Sequence, residues 1–101
     1  MFKDLGAVPM TEIHQNKLRA ATYDLMKSMN PKPVMSYLVS TDILTNDEKS
    51  QITLNNTTDD QVEQLIYLLQ RKSDSGFSTF IEALIETGQQ HAVTIIMKSG
   101  E

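Results

Sequence analysis

The sequence predicts an all-α domain built as an antiparallel bundle of six short helices. Two kinds of signal predict it. Apolar residues recur at helical spacing in segment after segment, most clearly at Phe77, Phe80, Ile81, Leu84 and Ile85. Stop and start residues separate the segments at short intervals: Asn30-Pro31-Lys32-Pro33, Thr45-Asn46-Asp47-Glu48, Asn55-Asn56-Thr57-Thr58 and Gly88. Against these, Val93-Thr94-Ile95-Ile96 is a stretch of strand composition, and it stands alone after five helical segments, so it too is read as helix.

The first ten residues, MFKDLGAVPM, carry no period and are expected to form an arm; the domain proper is expected over 11–98, with a short tail at 99–101. Helix one is predicted from Thr11, a candidate cap, to Met29, with Leu18, Thr22, Leu25 and Met29 on its apolar face. The prolines end it, because a residue before proline is pushed out of the α region. Pro33 suits the first turn of helix two, where Val34, Met35, Leu38 and Val39 face inward. Ile43-Leu44 is expected to tuck into the core.

Thr45-Asn46-Asp47-Glu48 reads as a capping box that opens a short helix three ending near Thr53. Thr57 or Thr58 caps helix four, and Thr58 to Gln61 offers a second box. Asp59, Asp60 and Glu63 sit in its first turns, where the macrodipole favours anions; Arg71 and Lys72 sit where it favours cations. Its stripe is Val62, Leu65, Ile66 and Leu69. Helix five is the phenylalanine stretch, with Ser73, Asp74 and Ser75 as cap candidates and Gly88 as the left-handed stop. It is expected to be the central element, since each enclosed phenylalanine buries about 150–250 Å². Helix six runs from Gln89 to about Met97, burying Ala92, Ile95 and Ile96.

Composition narrows the function. The chain has 101 residues, 40% of them apolar, which supports one core. Nine basic residues against thirteen acidic ones give a net charge of −4, the wrong sign for nonspecific nucleic-acid binding. There is no cysteine, which removes disulfides, thiolate metal sites and cysteine nucleophiles. No run approaches the roughly 20 apolar residues of a membrane span, and the N-terminus has no secretory core, so a soluble, cytoplasmic domain is expected. The overlapping triplets Asn55-Asn56-Thr57 and Asn56-Thr57-Thr58 are then chance matches to a glycosylation site. His14 and His91 have no helical ligand partner, and Asp59-Asp60 is explained by its helix start. Neither a catalytic residue, a metal site nor a cofactor is expected.

Three runs in order resemble the caspase recruitment domain, a branch of the death-fold superfamily: ILTNDEKSQI (43–52), DQVEQLIYLLQRK (60–72) and GFSTFIEALIETGQQH (76–91). Phe77, Phe80, Ala83, Leu84, Thr87 and Gly88 match the family pattern in the third run. The likeness covers roughly 13–97, with Ser73 standing where many members have glycine. It implies a non-enzymatic adaptor that binds another domain of the same family in an initiator caspase, adaptor or sensor, or assembles with itself in a helical oligomer, in apoptosis or innate immunity. Neither nucleic acid nor membrane is an implied partner. In the family, a basic patch on helices one and four meets an acidic patch on helices two and three. Positions often basic in such members fall at Thr22, Asp59 and Glu63, and a position acidic in some adaptors falls at Ser36.

The candidate acidic surface is therefore Asp42, Asp47, Glu48, Asp59, Asp60 and Glu63; the candidate basic surface is Lys17, Arg19, Lys27, Lys32, Arg71 and Lys72. Isolated surface charges are usually only solvated, but a clustered field steers encounter and selects partners. Alternatives are a freestanding decoy that inhibits such assemblies and a helical nucleic-acid-binding module.

Overall fold

A computed structural model describes residues 10–100. Six helices follow in order: α1 Glu12–Ser28, α2 Pro31–Ser40, α3 Asn46–Thr53, α4 Thr58–Leu69, α5 Asp74–Glu86 and α6 Gln90–Lys98. No strand occurs among the described residues, and Val93–Ile96 is helical. α1 packs against α4 and α6, α5 against α2 and α6, and α3 closes the side made by α2 and α4.

The stops work much as their chemistry requires, with some shifts of position. Asn30 is the N-cap of α2 and its side chain accepts from the Lys32 N–H, so the helix starts at Pro31 and Pro33 falls in its first turn, as expected. The Thr45–Glu48 capping box is complete: the Thr45 hydroxyl accepts from the Glu48 N–H at 3.0 Å, and Glu48 accepts from the Thr45 N–H at 3.0 Å. Thr57, not Thr58, caps α4, and its hydroxyl accepts from the Asp60 N–H at 3.1 Å. The second box is therefore not made, and the Gln61 amide donates to Asn55 O instead. Gly88 ends α5 at φ +76°, with the Gly88 and Gln89 N–H groups returning to Ile85 O and Leu84 O.

The core is one cluster with Phe80, fully enclosed, among its largest side chains. Leu18, Ala21, Leu25, Val34, Met35, Leu38, Ile52, Val62, Leu65, Leu69, Leu84 and Ile96 are also fully enclosed. The edges of several stripes are less buried than expected, Val39 and Ile81 being only half-buried. Ile85 is 49% exposed, because α5 turns Phe77, Phe80, Ala83 and Leu84 toward α2 and α6 and leaves Ile85 on the rim. Ile95 is only half-buried, while Val93 takes the inward place. At the boundaries, Met10 was expected in the arm but is buried in the core; residues 1–9 of that arm lie outside the described residues. The tail expected from residue 99 instead leans on α1, where a side chain at Gly100 would meet the Asn16 and Lys17 backbone at 2.9–3.0 Å.

Polar contacts, part-buried and exposed, tie the ends of the helices together. Gln89, 6% exposed, exchanges two hydrogen bonds with Asn30: its Oε1 accepts from the Asn30 N–H at 2.7 Å and its Nε2 donates to Asn30 O at 3.1 Å. Beside it, His91 Nε2 donates to Ser28 O at 2.8 Å. These bonds lock the α1–α2 joint to the α5–α6 turn. At the other end Asp74 was a cap candidate for α5, but its carboxylate serves α1: it accepts from the Thr11 N–H and from His14 Nδ1, both at 2.9 Å. The His14 ring also stacks on Phe77, 4.0 Å between centroids and 2° from parallel. Thr11 stands at the N-cap of α1 without a side-chain capping bond, because its hydroxyl also turns to Asp74.

Candidate protein-binding surface

The α3 helix divides the acidic candidates between its two ends. Asp42, Asp47 and Glu48 lie at its N-terminal end, and Asp59, Asp60 and Glu63 lie beyond its C-terminal end at the start of α4. Eight helical residues at 1.5 Å each make α3 about 12 Å long.

Asp42 occupies an unusual place. It follows the Thr41 C-cap of α2 at φ +66°, among the described residues the only non-glycine with positive φ. The Asp42 and Ile43 N–H groups return to Val39 O and Leu38 O, the same closure that Gly88 makes after α5. A left-handed residue other than glycine costs roughly 1–2 kcal/mol, less for the short polar Asp and Asn. The Asp42 carboxylate is exposed there, as is Asp47 in the first turn of α3.

Glu48 and Lys72, assigned to opposite surfaces from the sequence, are brought together. The Lys72 ammonium donates to Glu48 Oε1 and Oε2 at 3.0 and 2.9 Å, with both side chains roughly a quarter exposed. Burial pushes the Glu48 carboxyl up, but the Thr45 N–H and the Lys72 ammonium outweigh it and hold it below the ordinary glutamate range. This pair lies beside a hollow of about 240 Å³ that Leu68 and Arg71 complete.

Other basic candidates also have work inside the chain. Lys17 Nζ donates to Met97 O and Ser99 O at 3.1 and 3.2 Å, satisfying carbonyls at the end of α6. Arg19 reaches Gln70 Oε1 at 3.4 Å and also bonds Asn16 Oδ1. Lys27 lies 4.8 Å from the centre of the Tyr23 ring. Lys32 and Arg71 are exposed and in no ion pair among the described residues. Ser36, the uncharged residue at an acidic family position, accepts from Lys49 Nζ at 3.2 Å.

At the far end of α3, Asp60, Glu63, Gln64, Tyr67 and Asn55 line an open hollow of about 420 Å³. Tyr67 is 60% exposed, and Leu54 in the adjoining turn is 73% exposed. Helical spacing from Glu63 predicts the outward placement of Tyr67, but neither Tyr67 nor Leu54 carries the charge that marks the candidate surfaces. Thr22, at a family basic position, bonds Leu18 O and offers no charge.

Six short helices in this order and packing, with the polar chemistry spread over outer faces, define a death-fold bundle. More particularly, the family model for the caspase recruitment domain matches residues 15–99, and the chain belongs to that family. It is 32% identical over 95 residues to caspase-2 of Gallus gallus. That match takes in 94% of this chain and 22% of the caspase, so the chain spans under a quarter of its relative's length.

Proposed function

We propose that this chain is a non-catalytic module that binds another caspase recruitment domain and thereby recruits or assembles signalling complexes, in the caspase-related pathways of apoptosis or innate immunity and in the cytoplasm. Membership of the family and the likeness to caspase-2 support the homotypic mode. The side of the contact it supplies is the acidic one, at the α2–α3 turn. The observation that carries this is Asp42: a carboxylate held exposed in a left-handed turn where glycine fits more easily, one turn of chain from exposed Asp47. Arginines on helices one and four of a basic partner would fork onto these carboxylates.

The test is titration of a basic caspase recruitment domain against the wild-type chain and two variants, with circular dichroism as the folding check. Asp47→Lys is expected to abolish binding with the helical signal unchanged. Asp47 has no capping bond to lose, unlike Glu48. Arg19→Glu is the opposing control, chosen over Lys17 because Lys17 closes α6. It should leave binding nearly intact. If Arg19→Glu proves the more damaging while both variants fold, the polarity is reversed and this chain is the basic half of its pair.

A further inference from the structure

We propose that the outer ridge of α4 is self-complementary, and that two copies of this chain pair through it, antiparallel, as a closed dimer. This goes beyond the reading above, because it uses different residues and a second copy of the chain as occupant. The ridge is Glu63, Tyr67 and Arg71, spaced four residues apart and so aligned on one side of a helix. All three are exposed, and the Tyr67 side chain, 60% exposed between two charges, makes no hydrogen bond among the described residues. Neither Glu63 nor Arg71 is in an ion pair among the described residues.

Arg71 lies two residues past the end of α4, beside Leu68 and Lys72, where the four-residue spacing carries the line of Glu63 and Tyr67 onward. Gln70 retains helical angles, φ −62° and ψ −20°, and the Arg71 N–H bonds Leu68 O at 3.0 Å, so the chain continues in a tight turn. Charge is graded along this line. Asp60 stands with Glu63 at one end, and Arg19, reaching Gln70, stands with Arg71 at the other. Glu48, which lines the hollow beside Arg71, is already occupied by Lys72.

Tyr67 is the midpoint between Glu63 and Arg71. A two-fold axis through it therefore sets Glu63 of each copy against Arg71 of the other, and brings the two Tyr67 rings together at the centre. A uniformly basic partner would match one end of the ridge and be repelled at the other; a uniformly acidic one would meet the reverse. A second copy turned end for end satisfies both. The net charge of −4 on each copy opposes pairing. That repulsion is screened over a Debye length of ~8 Å at 0.15 M salt, whereas the two ion pairs form at contact. A single ridge buries less than the ~1,200 Å² of a standard interface, so the dimer is a weak one.

Sedimentation of the full chain tests this over about 10 µM to 1 mM, the range in which such small interfaces are populated. The expected result is a monomer–dimer equilibrium that stops at the dimer and weakens as salt is raised. Glu63→Arg and Arg71→Glu each place like charges at both contacts and should weaken self-association at least about tenfold. An equimolar mixture of the two variants should recover dimerisation, because every contact between unlike copies is then complementary. Both positions are exposed, so the helical signal and unfolding midpoint should stay as in the wild type. A chain monomeric to the top of that range, single variants that associate like the wild type, a mixture that does not recover, or growth beyond two copies would each overturn the proposal. Asp47→Lys should leave self-association unchanged, so binding to a basic partner and pairing through α4 stand or fall separately.

Discussion

Replacing Glu48 by glutamine and by alanine separates the two duties of its carboxylate. One is the capping box, where Oε1 accepts from the Thr45 N–H at 3.0 Å; the other is the pair with Lys72 at 2.9–3.0 Å. Glutamine keeps an acceptor for Thr45 and loses the charge. Both side chains of the pair remain about a quarter exposed, so the pair is screened, and Glu48→Gln should cost about 0.5–1 kcal/mol. Alanine removes the capping acceptor as well, adding about 1 kcal/mol, so Glu48→Ala should cost about 1.5–2 kcal/mol in total. Urea denaturation followed by circular dichroism resolves the two. A double-mutant cycle with Lys72→Met, which keeps the aliphatic stem, should return about 0.5–1 kcal/mol of coupling. The pH dependence supplies an independent check. The folded-state value of Glu48 is depressed, so its contribution is fully present above the ordinary carboxylate value of about 4.3 and is lost as pH falls through the folded value. The gap between wild type and Glu48→Gln should therefore close on acidification. Equal losses for Gln and Ala, no coupling to Lys72, or a gap that widens in acid would each refute the two-duty account.

Phe80→Ala should cost about 3–5 kcal/mol, since the ring is wholly enclosed; a loss below about 1 kcal/mol in chemical denaturation would refute its place in the packed core. Gln89→Leu should cost about 1–3 kcal/mol by leaving the Asn30 N–H and C=O unpaired, whereas Gln90→Leu, at an exposed neighbour, should change the unfolding midpoint little.

Local chemistry was enough for the helices and most of their ends. Thr45 and Glu48 close a box within four residues, and Gly88 supplies a positive φ, whatever the rest of the chain does. Helical spacing likewise placed Phe77, Phe80 and Leu84 inward, because the period of a helix is fixed by its backbone. The limits of that logic are visible at single positions. A stripe says which residues share a side, not how wide a side the neighbours cover, so Ile85 was expected inside and stands on the rim of α5. Gln89 and Gln90 are chemically identical, and only the approach of Asn30, 59 positions away in sequence, decides which one is buried. Asp74 looks like a cap when only its own helix is in view; the arrival of Thr11 and His14 turns its carboxylate to α1.

The candidate surface divides along the same line. The sequence by itself determined which charges the chain carries, their sign, and the family order of the three runs, since these depend only on residue type and spacing. The tertiary structure alone decided which of those charges remain available. It paired Glu48 with Lys72 across 24 positions of chain and turned Lys17 onto the end of α6, and it left Asp42, Asp47, Glu63 and Arg71 facing solvent. The physical reason is that an ion's partner is set by distance through space, and residues far apart along the chain come within 3–4 Å only once the helices have packed.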